Sequence, residues 1–427
     1  MIAKPFFGLG TPRLEYSLLP PKPVAAETIR PAATLTLLHP APAKARPASG
    51  LKIGDKVAAG RKIALYGEES GYVIAPAAGT VSALRAVAGN FGRDYTAVTI
   101  AVDGAEACDD GFAAAAAQPA MDSARRFLAA LPGCPPLERL GAAERPVKTL
   151  VVCGVDQDLL VLTQQYALRS RWSRVIQGIE LLKRIAGLEE AVILTYRETI
   201  QGVGHIGARV AGVDRRYPAA RPALVLPALF GQELPAGRSP EDLGFCFASA
   251  EAVAAVGAAY AEGRIPAVKI LTVIPKDGIP RLAEAPIGTP IADILRKFNV
   301  TLEAGDRLVA GGPMQGEALP SADHPVRPDT DAVMVMSDRL AHRTSAYPCI
   351  NCGECVRICP ARIQVNLLIR YLEAAKYEEA ADAYDLFSCI DCGLCSFVCV
   401  SKIPIAQYIT LAKYELARAR AAEAANG

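Results

Sequence analysis

Cys349-Ile-Asn-Cys352-Gly-Glu-Cys355-Val-Arg-Ile-Cys359-Pro360 and Cys389-Ile-Asp-Cys392-Gly-Leu-Cys395-Ser-Phe-Val-Cys399 carry the same pattern, C-x2-C-x2-C-x3-C. Eight of the chain's 12 cysteines lie in this stretch, and the others, Cys108, Cys134, Cys153 and Cys246, are scattered. A disulfide framework needs an oxidising compartment, and the N-terminal run MIAKPFFGLGTPRLEY has no charged segment leading into an apolar core, so no secretory signal is expected. Structural zinc uses two separated C-x2-C pairs rather than a third thiolate three residues on. Neither reading accounts for both runs.

The spacing matches the bacterial two-cluster pattern, in which three close thiolates wrap one cubane and the fourth cysteine ligates the other. On that crossed pattern Cys349, Cys352, Cys355 and Cys399 hold one [4Fe–4S] cluster, and Cys389, Cys392, Cys395 and Cys359 hold the second. A tight loop offers three thiolates to one cubane, and the fourth, entering the next helix, points the other way. Pro360 helps end the first loop; the second has Val400 there, which changes the turn and removes no ligand. Between the runs, Leu367, Leu368, Tyr371 and Leu372 fall at helical spacing with a break near Lys376-Tyr377, which predicts two short helices. The four scattered cysteines read as buried small hydrophobes. His39, His205, His324 and His342 have no metal-binding spacing and receive no role.

The remainder bounds the class. At 427 residues, two to four domains are expected. A net charge of +2 gives no electrostatic footprint for nucleic acid. No stretch reaches the roughly 18 uninterrupted apolar residues of a spanning helix, so a soluble or peripheral protein in the cytoplasm is expected. Residues 1 to about 48 are Pro-rich, with Pro20, Pro21, Pro23, Pro31, Pro40, Pro42 and Pro47 around strand-like Thr34-Leu-Thr-Leu-Leu38. Then Leu51-Lys-Ile-Gly-Asp-Lys-Val-Ala-Ala-Gly60-Arg-Lys-Ile-Ala64 and Ala75-Pro-Ala-Ala-Gly79-Thr-Val81 alternate apolar residues with turn glycines, as in a small β domain. From about 120 the pattern changes. Val147–Cys153 reads as a buried strand, Arg174–Gly187 as a helix ending in Gly, and Glu190–Tyr196 as the next strand, which makes a βαβ unit. Val268–Ile274 and the stretch Pro286–Gly316 suggest a small β module, and the chain beyond Ile405 one Ala-rich amphipathic helix.

The phrases at 51–64 and 75–81 resemble the barrel-sandwich hybrid of biotinyl and lipoyl domains, without the carrier Lys at the hairpin tip, which leaves a docking or scaffold role. The order of parts resembles the C subunit of the Rnf-type ion-translocating electron-transport complex. Pro286-Ile-Gly-Thr-Pro290, Gly311-Gly-Pro-Met-Gln-Gly316, Arg216-Tyr-Pro218 and the span Ser388-Cys389 to Ser401-Lys-Ile-Pro-Ile-Ala-Gln-Tyr408 carry that resemblance. It implies a multidomain α/β plus β chain. Its parts are a barrel-sandwich-hybrid-like β domain over 1–118, an α/β layer over 119–270 resembling the flavin subunit of complex I, a β-grasp-like module over 271–335, and an α-helical two-[4Fe–4S] ferredoxin-like domain over 336–427.

The same family is understood to pass electrons from NADH through FMN into its clusters, and here the chain departs from the pattern. The family's Gly-rich loop, whose N–H groups approach the flavin phosphate, is replaced by a segment with isolated Gly133 and Gly141 among three prolines. The family's acidic segment after the strand becomes Cys153-Gly154-Val-Asp156-Gln-Asp158, leaving Gly154, Asp156 and Asp158 as the only FMN or NADH candidates. An acidic loop that caps the following helix is the other reading of the two aspartates. The family's Gly-rich, Lys-containing stretch after Tyr-Pro becomes Ala219-Ala-Arg-Pro-Ala-Leu224. The resemblance thus implies a peripheral iron–sulfur subunit relaying single electrons between a soluble redox protein or cytochrome and membrane partners, with FMN doubtful and no catalytic acid, base or nucleophile. The alternatives are an FMN-containing NADH-oxidising entry subunit of the same complex type, a cobalamin-reductase-like flavin and iron–sulfur protein, and a scaffold whose clusters only hold the fold.

Overall fold

A computed structural model describes residues 12–22, 25–41, 50–66, 71–89, 93–202, 207–341 and 343–426. Pro23, Pro42, Pro47, His205, His342 and the first eleven residues lie outside them. The N-terminal strands are β1 (Glu27–Thr28), β2 (Thr34–Pro40), β3 (Lys56–Val57), β4 (Lys62–Ala64), β5 (Tyr72–Ile74), β6 (Gly79–Ala88) and β7 (Asp94–Val102). An antiparallel sheet in the order β2-β7-β6-β3 accompanies the pair β4-β5. Leu35 and Leu37 of β2 are buried while Thr34 is exposed, the period-two alternation of a one-sided sheet. Gly79 opens β6 where a Cβ would sit 2.2 Å from the Ala101 carbonyl oxygen, so the backbones can approach only with Gly there.

Three short helices, α1 (Ala113–Ala117), α2 (Met121–Leu128) and α3 (Leu137–Leu140), lead into the α/β layer. There β8 (Thr149–Cys153), α4 (Thr163–Ser170), α5 (Trp172–Ala186), β9 (Glu190–Tyr196), β10 (Arg209–Val213), α6 (Pro222–Val225), β11 (Phe245–Ser249) and α7 (Ala250–Glu262) follow in turn. The strands form a parallel sheet, β10-β9-β8-β11. β8 is buried at all five positions, as a parallel strand covered on both faces must be. α5 ends where Gly187 turns left-handed and its N–H closes on the Lys183 carbonyl. The expected βαβ unit is present in the expected order.

Helices α5 and α7 cross through glycine. A Cβ at Gly257 would lie 2.0 Å from the Arg174 carbonyl oxygen, and one at Gly178 would lie 2.1 Å from that of Val253. Alanine at 257 gains about 1 kcal/mol of helix propensity, but the clash is with backbone and no rotamer relieves it, a strain of at least the roughly 1–3 kcal/mol typical of overpacking. Gly257→Ala is therefore expected to lower the melting temperature. A variant melting at or above the parent would refute this close crossing.

The third layer holds β12 (Val268–Ile274), β13 (Arg281–Pro286), α8 (Ile291–Lys297), β14 (Arg307–Ala310), β15 (Glu317–Leu319) and β16 (Ala332–Met336). They form a mixed sheet, β1-β13-β12-β16-β14-β15. The expected boundary at 270/271 lies inside β12, and two residues of the N-terminal stretch, Glu27 and Thr28, pair with Ala283 and Glu284 of this sheet. A buried polar network joins it to the α/β layer. Lys269 and Glu251 are both 0% exposed. The Lys269 ammonium donates to Glu251, to the Ile270 carbonyl at 2.8 Å and to Asp331 at 2.8 Å. The Ile270 N–H donates to Glu251 at 2.7 Å. Gln164 completes it, giving its amide N–H to Asp331 at 3.0 Å and taking the Glu251 N–H at 3.1 Å. Burial works against the charge on Lys269, and the two carboxylates outweigh it, holding the lysine protonated.

The C-terminal layer is helical: α9 (Glu354–Ile358), α10 (Val365–Glu373), α11 (Tyr377–Ala383), α12 (Leu394–Val398) and α13 (Ile405–Asn426). The break near Lys376, with α10 before it and α11 after, falls where the spacing predicts. Ile405, Ile409, Ala412 and Leu416 give α13 one buried stripe, in one apolar cluster with Leu368, Ile369 and Leu372.

Two of the scattered cysteines depart from expectation. Cys153 and Cys246 are buried in strands, whereas Cys108 and Cys134 are exposed. Cys108 meets the β layer at a single bridge to Ala59, and Cys134 occupies a left-handed turn position, φ 49°, directly after Gly133. Neither belongs to an element with a core-facing side.

Candidate metal centre

The two cysteine loops are one backbone design used twice, forty positions apart. Asn351 and Asp391 are left-handed (φ 57° and 53°), as are Gly353 and Gly393 (75° and 74°) and Arg362 and Lys402 (57° and 55°). Between them α9 and α12 each run for five residues, and each ends at a cysteine, Cys359 or Cys399, whose ψ of 116° or 115° turns the chain out of the helix. That exit lets the fourth thiol leave the direction of the first three.

The thiols gather accordingly. Burial, then the neighbouring Cys349, Cys352 and Cys399, push the Cys355 thiol up to about 12. Cys399 is raised by burial and by Cys352 and Cys349. Cys389 is pushed up to about 12 by burial and then by Asp391, with Cys392 adding to it. Burial raises Cys395, with Cys389 and Cys392 next and Cys355 of the first run last, and raises Cys392, on which Cys359 also acts. Cys399 thus acts on the first run and Cys359 on the second, while Cys355 also acts on Cys395 of the second. Among the described residues no three His, Cys, Asp or Glu close on one ion position. Four soft sulfur donors in the two-cluster spacing suit iron–sulfur ligation. Backbone N–H groups already point at two of the sulfurs, Asp391 to Cys389 at 3.4 Å and Ile403 to Cys399 at 3.3 Å. Iron is held by thiolates, so metal loading releases protons from whichever thiols still carry them.

The second loop is clamped to the rest of the chain. The Tyr217 hydroxyl donates to the Cys392 carbonyl at 2.7 Å and itself takes an N–H from Gln315 at 2.9 Å. Arg221 donates to the Asp391 carbonyl at 2.9 Å, and Lys413 to the Cys389 carbonyl at 2.8 Å. Gly393 lies against the Met314 carbonyl, where a Cβ would be at 2.5 Å. A cleft of about 1360 Å³ opens beside this loop, with Cys359, Cys389 and Cys392 among its lining residues together with Arg307, Met314 and Arg327.

Gly154, Asp156 and Asp158 are occupied otherwise. A Cβ at Gly154 would lie 2.2 Å from Leu168 and 2.8 Å from the Leu194 carbonyl, so its bareness serves packing. Asp156 takes the Gln164 N–H at 2.8 Å, in the first turn of α4, and the Gln165 side chain at 2.9 Å. Asp158 takes the N–H groups of Leu159 (2.7 Å), Met314 (3.1 Å) and Gln315 (2.8 Å). The helix-capping alternative is what the geometry displays for Asp156. At the start of α7 the N–H groups of Glu251 and Ala252 are held by Gln164 and by the Ser249 hydroxyl, so a phosphate would have to displace them. Tyr16, which the sequence did not single out, packs its ring 5.5 Å from that of Tyr196 and 5.3 Å from that of Tyr217.

Burial pushes the Asp156 carboxyl up to about 7. An acid raised in the folded state binds a proton there that the unfolded chain has lost, so this residue's contribution to stability declines from about pH 4 to pH 7 and is flat above. Asp156→Asn keeps an oxygen for the Gln164 N–H and is expected to flatten that part of the profile. Urea midpoints at about pH 5, 6, 7 and 8 check it; equal slopes in variant and parent would contradict the assignment.

The family described as a 4Fe-4S dicluster domain matches residues 348–403. The chain is 32% identical over 402 residues to the C subunit of the ion-translocating oxidoreductase complex of Pseudomonas aeruginosa, covering 88% of this chain and 51% of that protein. The C subunit of a Clostridium ljungdahlii proton-translocating ferredoxin:NAD(+) oxidoreductase complex is 26% identical, over 64% of this chain and 61% of that one. The corresponding C subunit of Serratia proteamaculans is 28% identical over 88% and 57%. The chain thus spans about half to three-fifths of these relatives' lengths. Among solved structures, a chain of an NAD+-reducing [NiFe]-hydrogenase aligns at a TM-score of 0.43 and 16% identity, covering 70% of this chain and 64% of that one. Among the described residues no helix is long and apolar enough to cross a membrane.

Proposed function

We propose that this chain, a relative of the C subunit of the Rnf-type ion-translocating oxidoreductase complexes along 88% of its length, is a peripheral iron–sulfur subunit that relays single electrons. Cys349, Cys352, Cys355 and Cys399 would hold one [4Fe–4S] cluster, and Cys389, Cys392, Cys395 and Cys359 the other. The observation that carries this reading is one loop backbone built twice around the two cysteine runs, with Cys399 acting on the thiol of Cys355 and Cys359 on that of Cys392. The clusters supply one-electron chemistry, and the protein's residues fix their position, burial and hydrogen bonding. Exchange would run between a soluble redox protein or cytochrome and the membrane subunits of the complex, on the cytoplasmic side.

The reading divides the chain into a hybrid-like β domain for docking (1–118), a flavin-subunit-like α/β layer (119–270), a β-grasp-like module (271–335) and the cluster domain (336–427). Within the α/β layer it places neither FMN nor NADH. The support is the set of hydrogen bonds that already consume Asp156, Asp158 and the first N–H groups of α7.

The test is composition. Protein purified without oxygen is expected to contain about eight iron and eight sulfide per chain and no flavin. Stoichiometric FMN, bleached by NADH, would overturn the cluster-only reading in favour of an NADH-oxidising entry subunit, and absence of iron would overturn both.

A further inference from the structure

We infer that Lys413 tunes the reduction potential of the cluster assigned to Cys389, Cys392, Cys395 and Cys359, an inference that rests on that assignment. The repeat provides an internal comparison, since each residue around the second loop has a sequence counterpart forty positions earlier. Lys413, at the point where α13 passes the loop, places its ammonium 2.8 Å from the Cys389 carbonyl and 2.7 and 2.9 Å from the Asp391 carboxylate oxygens. Its counterpart is Glu373, exposed at the end of α10. Asp391 has the neutral counterpart Asn351, which takes an N–H from Asn366 at 2.7 Å. The two halves share a backbone and carry opposite charge at this position.

A cation also reaches the first loop. Arg357 donates to the Cys352 carbonyl, but at 3.4 Å, from a side chain that is 60% exposed and paired with Glu354 on its own helix. Lys413 is 23% exposed. Water and salt screen the first far more than the second, so Lys413 is the stronger of the two.

Reduction transfers one electron from an outside reductant to the cluster; no bond forms or breaks and no proton moves. The added negative charge is disfavoured by burial, and Cys392 is among the buried thiols of this set. A half-buried ammonium against the same loop offsets that penalty and raises the potential. Asp391 opposes it. Removing either partner therefore moves the potential in opposite directions.

The experiment is an EPR-monitored redox titration of the full chain, with iron counted on every sample. Lys413→Met is expected to shift one cluster to lower potential and leave the other, Lys413→Arg to keep the parent value, and Asp391→Asn to shift the same cluster upward. Unmoved midpoints in Lys413→Met, or a shift that Lys413→Arg shares, would overturn the inference. Should Lys413→Met lose about half its iron, Asp391→Asn decides: an upward shift at full iron supports tuning, and an unmoved midpoint refutes it. A parent protein without two cluster signals would sink the functional reading itself; two signals that ignore residue 413 would sink only this inference.

Discussion

Cys352→Ala is expected to halve the iron, from about eight to about four per chain, and to remove one cluster's absorbance and EPR signal while the other persists. The reason lies in the crossed neighbourhoods. Cys352 acts on Cys399, and with Cys349 it surrounds Cys355; in the second set, Cys389 is joined by Cys392, and Cys392 by Cys359. The most informative partner variant is Cys399→Ala. It sits with the second run in sequence, yet it is expected to lose the same signal as Cys352→Ala. If Cys399→Ala instead lost the signal that Cys392→Ala loses, the sets would follow sequence rather than crossing over, and the assignment would fail. Unchanged iron in Cys352→Ala would remove it altogether.

Lys269→Met should be the most destabilising single change outside the cysteine loops. The lysine neutralises Glu251, which is 0% exposed, and shares Asp331 with Gln164. Methionine fills a similar volume but leaves a carboxylate buried without its counter-charge, a loss of about 3–5 kcal/mol. Set against the roughly 5–15 kcal/mol that usually holds a domain together, that is enough to lower the yield of folded chain. Removing both charges in Lys269→Met/Glu251→Gln should recover most of the loss, because the uncompensated charge is the expensive part. Chemical denaturation of parent, singles and double gives the coupling directly. Equal stability of Lys269→Met and parent would mean that the network contributes nothing.

Legibility in the sequence is local. The cysteine runs declare their chemistry by spacing, and β8, α5 and β9 declare themselves by apolar runs with a glycine stop at Gly187. The hidden parts depend on residues far apart in the chain. Nothing around Lys269 signals that Glu251 and Asp331 will enclose it, since a lysine in a strand ordinarily faces water. Tyr16 lies in a stretch without periodicity, and its packing on Tyr196 and Tyr217 depends on where the N-terminal segment crosses the sheet. Two residues, Glu27 and Thr28, are too short a strand for any pattern. One further signal is present in the sequence: aligning the chain on itself at forty positions pairs Ile363 with Ile403, Val365 with Ile405 and Ile369 with Ile409, all buried, which marks the helical layer as a duplication beyond its cysteines. The exposure of Cys108 and Cys134 escapes any reading that weighs residue type without the element it belongs to.

The crossed assignment proposed above also bears on how the protein is made. Synthesis runs from the N-terminus, so the loop bearing Cys349, Cys352 and Cys355 emerges with three thiols and waits through a further forty-four residues for Cys399. The second loop gains its last thiol, Cys395, only four residues before that. On that assignment neither set is complete while the other is far from complete, so both would come together late rather than in the order of translation. During that interval the four thiols of the first run, Cys359 included, would stand open to whichever soft metal reaches them, and a nascent chain shielded from stray zinc or copper until Cys399 has appeared would be the one that takes up iron.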